Sequence, residues 1–444
     1  MSQLKVLISG GGIAGTSLAF WLSKQGHDVT VVERFPELRT TGLQIDLRGH
    51  GVEVLRRTGL EKAYRALSPP EQGLQVVDTR GWRRAYFPAN RSGVGIQSFT
   101  TDWEIMRGDL CRIMYDAARD KTRYIFGTSI DSFQQDNNQG PVRVRFADGR
   151  ADTFDLVVGA DGQGSRFRRM MVGPDGDDGL HPIPGQFIAY FTVKRPIQDG
   201  EEYLATQYMA PGRRGIMMRR SHPDKIQVYI GSTDTSPSSD LSAVRRGDVS
   251  AEKAAFTKIM RGAGWKTDEL LEDMAAADDF YCERMGVVKL DKWHRGGALA
   301  VLGDAAYCPS ANTGMGTTSA MVGAYILAGE IGRHCGMPTL AGEGTSPIGT
   351  SGPGGSSMTA RVGAALEAYD GKFRPFMDQV QHGVLEDTAG MMMPSSSVGV
   401  GLANLFLGIA SLFKLNIFGW FLKEEVKDWD LPNYDYGDLV SVEA

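Results

Sequence analysis

Lys5-Val6-Leu7-Ile8-Ser9-Gly10-Gly11-Gly12-Ile13-Ala14-Gly15 decides the fold. An apolar run of strand type enters G-x-G-x-x-G. A helical pattern follows from Thr16 through Gln25, and a second apolar run, Asp28-Val29-Thr30-Val31-Val32, ends at Glu33. Strand, glycines, helix, strand and acid in that order form the dinucleotide-binding βαβ fingerprint. Gly10 permits the tight turn, Gly12 leaves the backbone open to a pyrophosphate, and Gly15 lets the helix pack closely on the strand. The N–H groups around Ile13 and Ala14 stand at the positive end of that helix and face the phosphates. Glu33 lies 21 residues after Gly12, where a carboxylate can bind both hydroxyls of an adenosine ribose. FAD and NAD both carry a free 2′-hydroxyl there, so the fingerprint leaves the cofactor open.

Composition narrows the class. The chain has 444 residues, 42% of them apolar, which supports an ordinary globular core. A net charge of −5 and a pI of about 5.9 give no sign of nucleic-acid binding. The four cysteines form no C-x-x-C and no metal-spaced cluster, so reduced thiols, no metal and a cytoplasmic setting are expected. With the first strand so near the start of the sequence, no signal peptide is expected.

Two further stretches repeat the logic of the first. Asp155-Leu156-Val157-Val158-Gly159-Ala160 runs into Asp161-Gly162-Gln163-Gly164-Ser165-Arg166-Phe167-Arg168. Ala300-Val301-Leu302 runs into Gly303-Asp304-Ala305-Ala306-Tyr307-Cys308-Pro309, and then Gly314-Met315-Gly316. Doubly wound sheets place ligands at the carboxyl ends of their strands, so the three motifs are expected to meet in one crevice. FAD is long enough to use all three.

Between the motifs, Glu104-Ile105-Met106-Arg107 reads as the opening of a helix that runs to about Arg119, and 251–276 reads as helical. Phe187–Val193 and Lys225–Ile230 are the clearest strands of a β-rich excursion. The expected fold is α/β: a Rossmann-like FAD-binding domain (1–72, 102–180 and 283–335), an interleaved β-sheet substrate domain (73–101 and 181–282), a flexible loop (336–360) and a helical C-terminal region (361–444). His27 and His222 are read as surface residues.

The three motifs resemble those of the class A flavoprotein monooxygenases, the para-hydroxybenzoate hydroxylase superfamily. Within it, Gly42 to Gly49, Arg107 and Gly303-Asp304-Ala305-Ala306 look like the tetracycline-inactivating flavin monooxygenase branch. The resemblance covers about residues 4–335. It implies that Glu33 and Arg34 hold the adenosine ribose, that Asp46 and Arg107 contact FAD, and that Asp304 binds the ribityl chain. Asp161 would shape the cofactor groove, N–H groups at Gly314 and Met315 would face the pyrimidine end of the flavin, and Arg39 matches an NADPH-phosphate position. It also implies NADPH or NADH as reductant and O₂ adding at flavin C4a, with one oxygen passing to a small aromatic or polyketide-like substrate. Tyr190, Met217, Arg219, Tyr229 and Ala311 are the candidate substrate contacts, and no catalytic acid–base pair is singled out. The chain departs from the family pattern at Tyr307, where His is usual. A second departure is Ala311, where Pro is usual and which Pro309 precedes, so substrate placement is not inherited.

Plainer roles stand beside these. Arg107 could pair with Glu104 on the surface, Asp46 could cap a helix, Asp161 could be a turn acid, and Arg39 could be solvated. The candidate substrate residues could be plain core. A Baeyer–Villiger or epoxidising enzyme shares the scaffold, and a non-catalytic FAD- or NAD-binding protein would keep the first motif but need not keep Arg107 and Gly303-Asp304. Val398–Phe413 is apolar, Lys414 interrupts it, and Leu415–Leu422 resumes. That tail reads either as packing on the FAD domain or as peripheral membrane contact through Trp420 and Lys423.

Overall fold

The computed structural model describes residues 3–90, 100–136, 140–233, 240–336, 357–386, 393–415, 426–434 and 436. Two sheets organise it. The first has six strands in the order His294–Arg295, Leu299–Val301, Leu156–Gly159, Lys5–Ser9, Asp28–Glu33, Thr122–Phe126. All its pairings are parallel except that of the two-residue edge strand His294–Arg295. Strands covered on both faces read as unbroken apolar runs, and Val6-Leu7-Ile8, Leu156-Val157-Val158 and Leu299-Ala300-Val301 are all buried. Helix Ile13–Lys24 covers one face together with the long helix Gly316–Cys335.

The second sheet has seven strands: Tyr281–Val288, Leu180–Lys194, Lys225–Thr233, Arg214–His222, Ala205–Ala210, Gly73–Val77 and Arg83–Pro88. Phe187, Phe191, Ile216, Val228 and Ile230 pack one face against Phe256, Met260, Leu270 and Met274 of helices Val249–Met260 and Thr267–Ala276. Alternation sends the polar and aromatic partners of those residues to the other face, which looks toward the first sheet.

Several local expectations change. The stretch 251–276 is two helices, because Gly262 and Gly264 adopt positive φ between them. Glu104–Met106 is a short strand paired with Gln44–Asp46, and the helix starts at Arg107. His27 is buried, not superficial: its Nδ1 accepts the Leu4 N–H at 3.3 Å, and burial lowers its pKa to about 4. All four cysteines are free and buried.

The C-terminal helix Ser397–Leu412 packs on the second sheet rather than on the first. Val400, Ala403, Leu407 and Ala410 meet Val76, Ala85, Phe87 and Met209. Ser411 Oγ donates to the Tyr86 carbonyl at 2.7 Å and accepts the Tyr86 N–H at 3.0 Å. The helix therefore closes the open edge of the sheet, which would otherwise present unpaired backbone groups. Its outer side leaves Leu402, Leu405, Phe406, Ile409 and Leu412 exposed. Among the described residues no helix is long and apolar enough to cross a membrane. Trp420, Lys423 and most of the loop 336–360 lie outside the described residues.

Candidate functional site

The three motifs do meet. Their strands are neighbours in the first sheet, and Ala160 N–H donates to the Ser9 carbonyl while Leu302 N–H donates to that of Gly159. Glycines let the backbones touch. A Cβ on Gly15 would overlap the Gly10 carbonyl oxygen, and Gly10 itself, at φ +115°, stands against Ala160. Gly303, at φ +64°, rests on Ala14, so the third motif leans on the first helix. Arg168, fully buried, ties the second motif to the third by donating to the Ala305 carbonyl at 3.1 Å.

Glu33 ends its strand beside the turn. Its two oxygens accept the N–H groups of Gly11 at 2.7 Å and Phe35 at 3.0 Å, leaving lone pairs on each for a ligand hydroxyl. Arg107 lies over the glycine turn: a Cβ on Gly12 would stand 3.3 Å from its Nη2. Its Nη1 is buried with no partner among the described residues. A buried cationic donor left unpaired is costly, and an anion over Gly12 would satisfy it. A pyrophosphate fits that position. Arg107 does not pair with Glu104, which turns instead to Arg219.

Asp304 opens the short helix Asp304–Tyr307. Its side chain stays accessible although protein surrounds it, so it stands in a crevice. Burial pushes its carboxyl up and Arg107 holds it down. Other candidates have internal partners. Asp161 accepts from Ser165 Oγ and from the N–H groups of Arg166 and Phe167, so it braces the turn into helix Arg166–Val172, whose N-cap is Ser165. Asp46 pairs with Arg48 and caps nothing; Gly49 stands at that cap. Gly314 N–H donates to the Ala311 carbonyl and Met315 N–H to Thr313 Oγ1, so the turn occupies both. Ala311 is exposed beside them.

The roof of the crevice is the second sheet. Tyr281, Tyr190, Tyr229 and Met217 are successive cross-strand partners, which puts all four on one face. Tyr190 and Tyr229 meet edge to face with centroids 5.1 Å apart. Two positions along, Gln227 and Arg219 share that face. Gln227 Nε2 donates to the Gly42 carbonyl, while its Oε1 and the Tyr229 hydroxyl accept the Gln44 N–H. Arg219 is not free to meet a ligand: Glu71 and Glu104 hold it from two sides.

At the mouth, Arg39 lies between the rings of Phe35 and Tyr281, 5.5 and 5.1 Å from their centroids. Burial and then the neighbouring Arg107 lower its pKa. Tyr281 and Arg246 face Glu283, whose carboxyl burial and Asp304 push up to about 7. Gln44, Glu71, Gln227, Tyr281 and Glu283 are additions to the residues singled out from sequence. Only Gln227 carried a local signal, two places before Tyr229 in an alternating strand.

A family model described as FAD binding domain matches residues 3–335. The chain belongs to that family. The FAD-dependent monooxygenase asL4 of Sarocladium schorii is 47% identical over 437 residues, covering 98% of this chain and 99% of its own. The flavin-dependent monooxygenase eupH of a Phoma species is 42% identical over 353 residues, 76% of this chain and 80% of its own. The solved structure of the tetracycline destructase Tet(51) matches with a TM-score of 0.73 at 26% identity, over 98% of this chain and all of that one. The protein is an FAD-dependent monooxygenase of class A.

Proposed function

We propose that this monooxygenase takes electrons from NADPH or NADH and places one oxygen atom of O₂ on an aromatic or polyketide-like molecule held under the second sheet. The observation that carries this reading is the Tyr281–Tyr190–Tyr229–Met217 row, an apolar and aromatic roof over the Arg107–Asp304 crevice. Flat, electron-rich rings stack well on such side chains.

Bound FAD supplies the oxygen activation, and the chain supplies position and a dry pocket. Glu33, with Arg34 beside it, would hold the adenosine ribose. Arg107 and the N–H groups around Ile13 and Ala14 would hold the pyrophosphate, and Asp304 the ribityl chain. Arg39, crowded by like charge and held flat by two rings, would gain from an anionic group of the reductant.

Anaerobic reduction by NADPH and by NADH, with and without a panel of aromatic and polyketide compounds, tests the reading. A compound that speeds flavin reduction should also gain one oxygen atom in air. Reduction indifferent to every compound, with peroxide as the sole product, counts against it. The bare stripe of Leu402, Leu405, Phe406, Ile409 and Leu412 supports a peripheral contact with lipid. Cosedimentation with anionic and neutral vesicles checks that contact.

A further inference from the structure

Glu71, Glu104 and Arg219 come from three separate places: the segment before strand Gly73–Val77, the ribbon strand Glu104–Met106, and strand Arg214–His222. Their side chains are almost wholly buried together. Arg219 Nε and Nη2 donate to Glu71 at 2.9 and 2.6 Å, and Nη2 also reaches Glu104 at 2.6 Å. Thr100 Oγ1 donates to Glu71 at 2.8 Å, and Gln44 Nε2 donates to Glu104 at 2.9 Å.

The second partner of each end matters. Glu104 and Gln44 lie on the two strands of the Gln44–Asp46/Glu104–Met106 ribbon. That ribbon continues directly into Arg107, whose N–H donates to the Leu43 carbonyl and whose stem lies against Gly42. The residue proposed for the pyrophosphate is thus the next link after the buried cluster. Gln227 and Tyr229 grip the same ribbon from the same sheet face.

We propose that the Glu71–Arg219–Glu104 cluster is a positioning device for the cofactor wall: it clamps the Gly42–Asp46 ribbon, and through it Arg107, to the substrate sheet. Arg219 is then a positioning residue and not a substrate contact. This rests on the cofactor placement proposed above.

Charge gives the clamp a signature. Glu71 and Glu104 both bind the Arg219 guanidinium in a buried place, and ionising both carboxylates there carries a desolvation cost. Glu104 relieves it. Burial, Glu71 and Asp46 raise its carboxyl against the pull of Arg219, to about 8. Among the described residues, the charged or titratable groups facing it are Arg219, Glu71, Asp46, Tyr64 and Tyr229. Below that pH Glu104 keeps its proton. Above it an added buried charge sits on the ribbon that leads into Arg107.

The experiment uses the holoenzyme and follows the bound-flavin absorption band and FAD affinity from pH 6.5 to 9. Wild type should show a transition in the flavin band near pH 8, and Glu104→Gln, which holds the neutral form, should show none. Arg219→Met should weaken FAD by about 10-fold or more, and Arg219→Lys should recover part of that loss. Far-UV circular dichroism reports the fold of each variant. A folded Arg219→Met with wild-type FAD affinity and flavin band overturns the proposal. A flavin transition that persists in Glu104→Gln overturns the assignment of the proton. Wild-type protein that binds no FAD instead refutes the cofactor placement itself.

Discussion

The floor and the roof of the crevice are built by different means. The floor is backbone on backbone. Gly10, Gly15 and Gly303 allow strand ends and a helix to touch, and few side chains intrude. The roof is side chain on side chain, with a row of aromatic residues and a buried ionic cluster joined across strands far apart in sequence. A floor of this kind tolerates no added atom, because a backbone has no rotamer with which to yield. A roof of this kind can repack, and its substitutions are felt mainly in what it holds.

The sharpest way to break the contrast is Gly15→Ala. The new methyl overlaps the Gly10 carbonyl, so the helix must lift off the strand end. We expect no measurable FAD binding and little soluble protein. Gly401→Ala is the control, since no atom lies within 4 Å of a Cβ there and the residue is exposed. In that helix the change should stabilise by up to about 1 kcal/mol. Equal behaviour of the two variants in thermal unfolding and FAD titration would remove the distinction between floor and surface.

Asp304→Ala should come next. It leaves the floor's backbone intact and removes the acceptor in the crevice. Loss of bonds to a charged acceptor predicts about 100-fold weaker FAD, with peroxide release rising at the expense of product because the flavin is held less exactly in place. Asp304→Asn should be milder. Glu33→Ala removes a smaller share, since its bonds to Gly11 and Phe35 are partly structural. About 10-fold weaker FAD at intact fold is expected, read by fluorescence of released flavin. Unchanged affinity would take Glu33 out of the ribose site.

The same contrast explains what could be read from the chain. The floor was legible because its information is local. A glycine spacing, an apolar run and an acid within a few residues dictate a strand end and its turn. The roof was legible only in part. Tyr190, Tyr229 and Met217 could be picked out as residue types, but that they align in one row depends on the register of three strands. Arg219 shares that sheet with the other candidate substrate contacts, and nothing local shows that Glu71 and Glu104 will meet it, 148 and 115 positions away in the chain. Glu104 also hid its own element. Glu-Ile-Met-Arg has helical propensity, yet pairing with Gln44–Asp46 makes its first three residues a strand. His27 fails for a similar reason, because a histidine after a helix looks solvated until Leu4 covers it.

The smallest expected effect lies where floor and roof face each other. Glu283, on the roof strand Tyr281–Val288, is raised to about 7 by burial and by Asp304 on the floor, against the pull of Arg246 and Arg39. An acid whose folded value exceeds its unfolded value favours the protonated folded state. Its ionisation therefore costs stability as pH rises from about 4.5, the usual value, to about 7, and the cost is constant above that. Glu283→Gln carries no such ionisation. Relative to wild type, its melting temperature should gain nothing at pH 4.5, gain progressively up to pH 7, and then hold level. The group is only partly buried, so solvent screening keeps the gain to a few degrees or less. In Asp304→Asn the floor charge is gone, and the same comparison should give a smaller gain. A gap that does not shrink in the Asp304→Asn background would mean that the two carboxylates do not share the crevice, and that floor and roof are electrostatically separate.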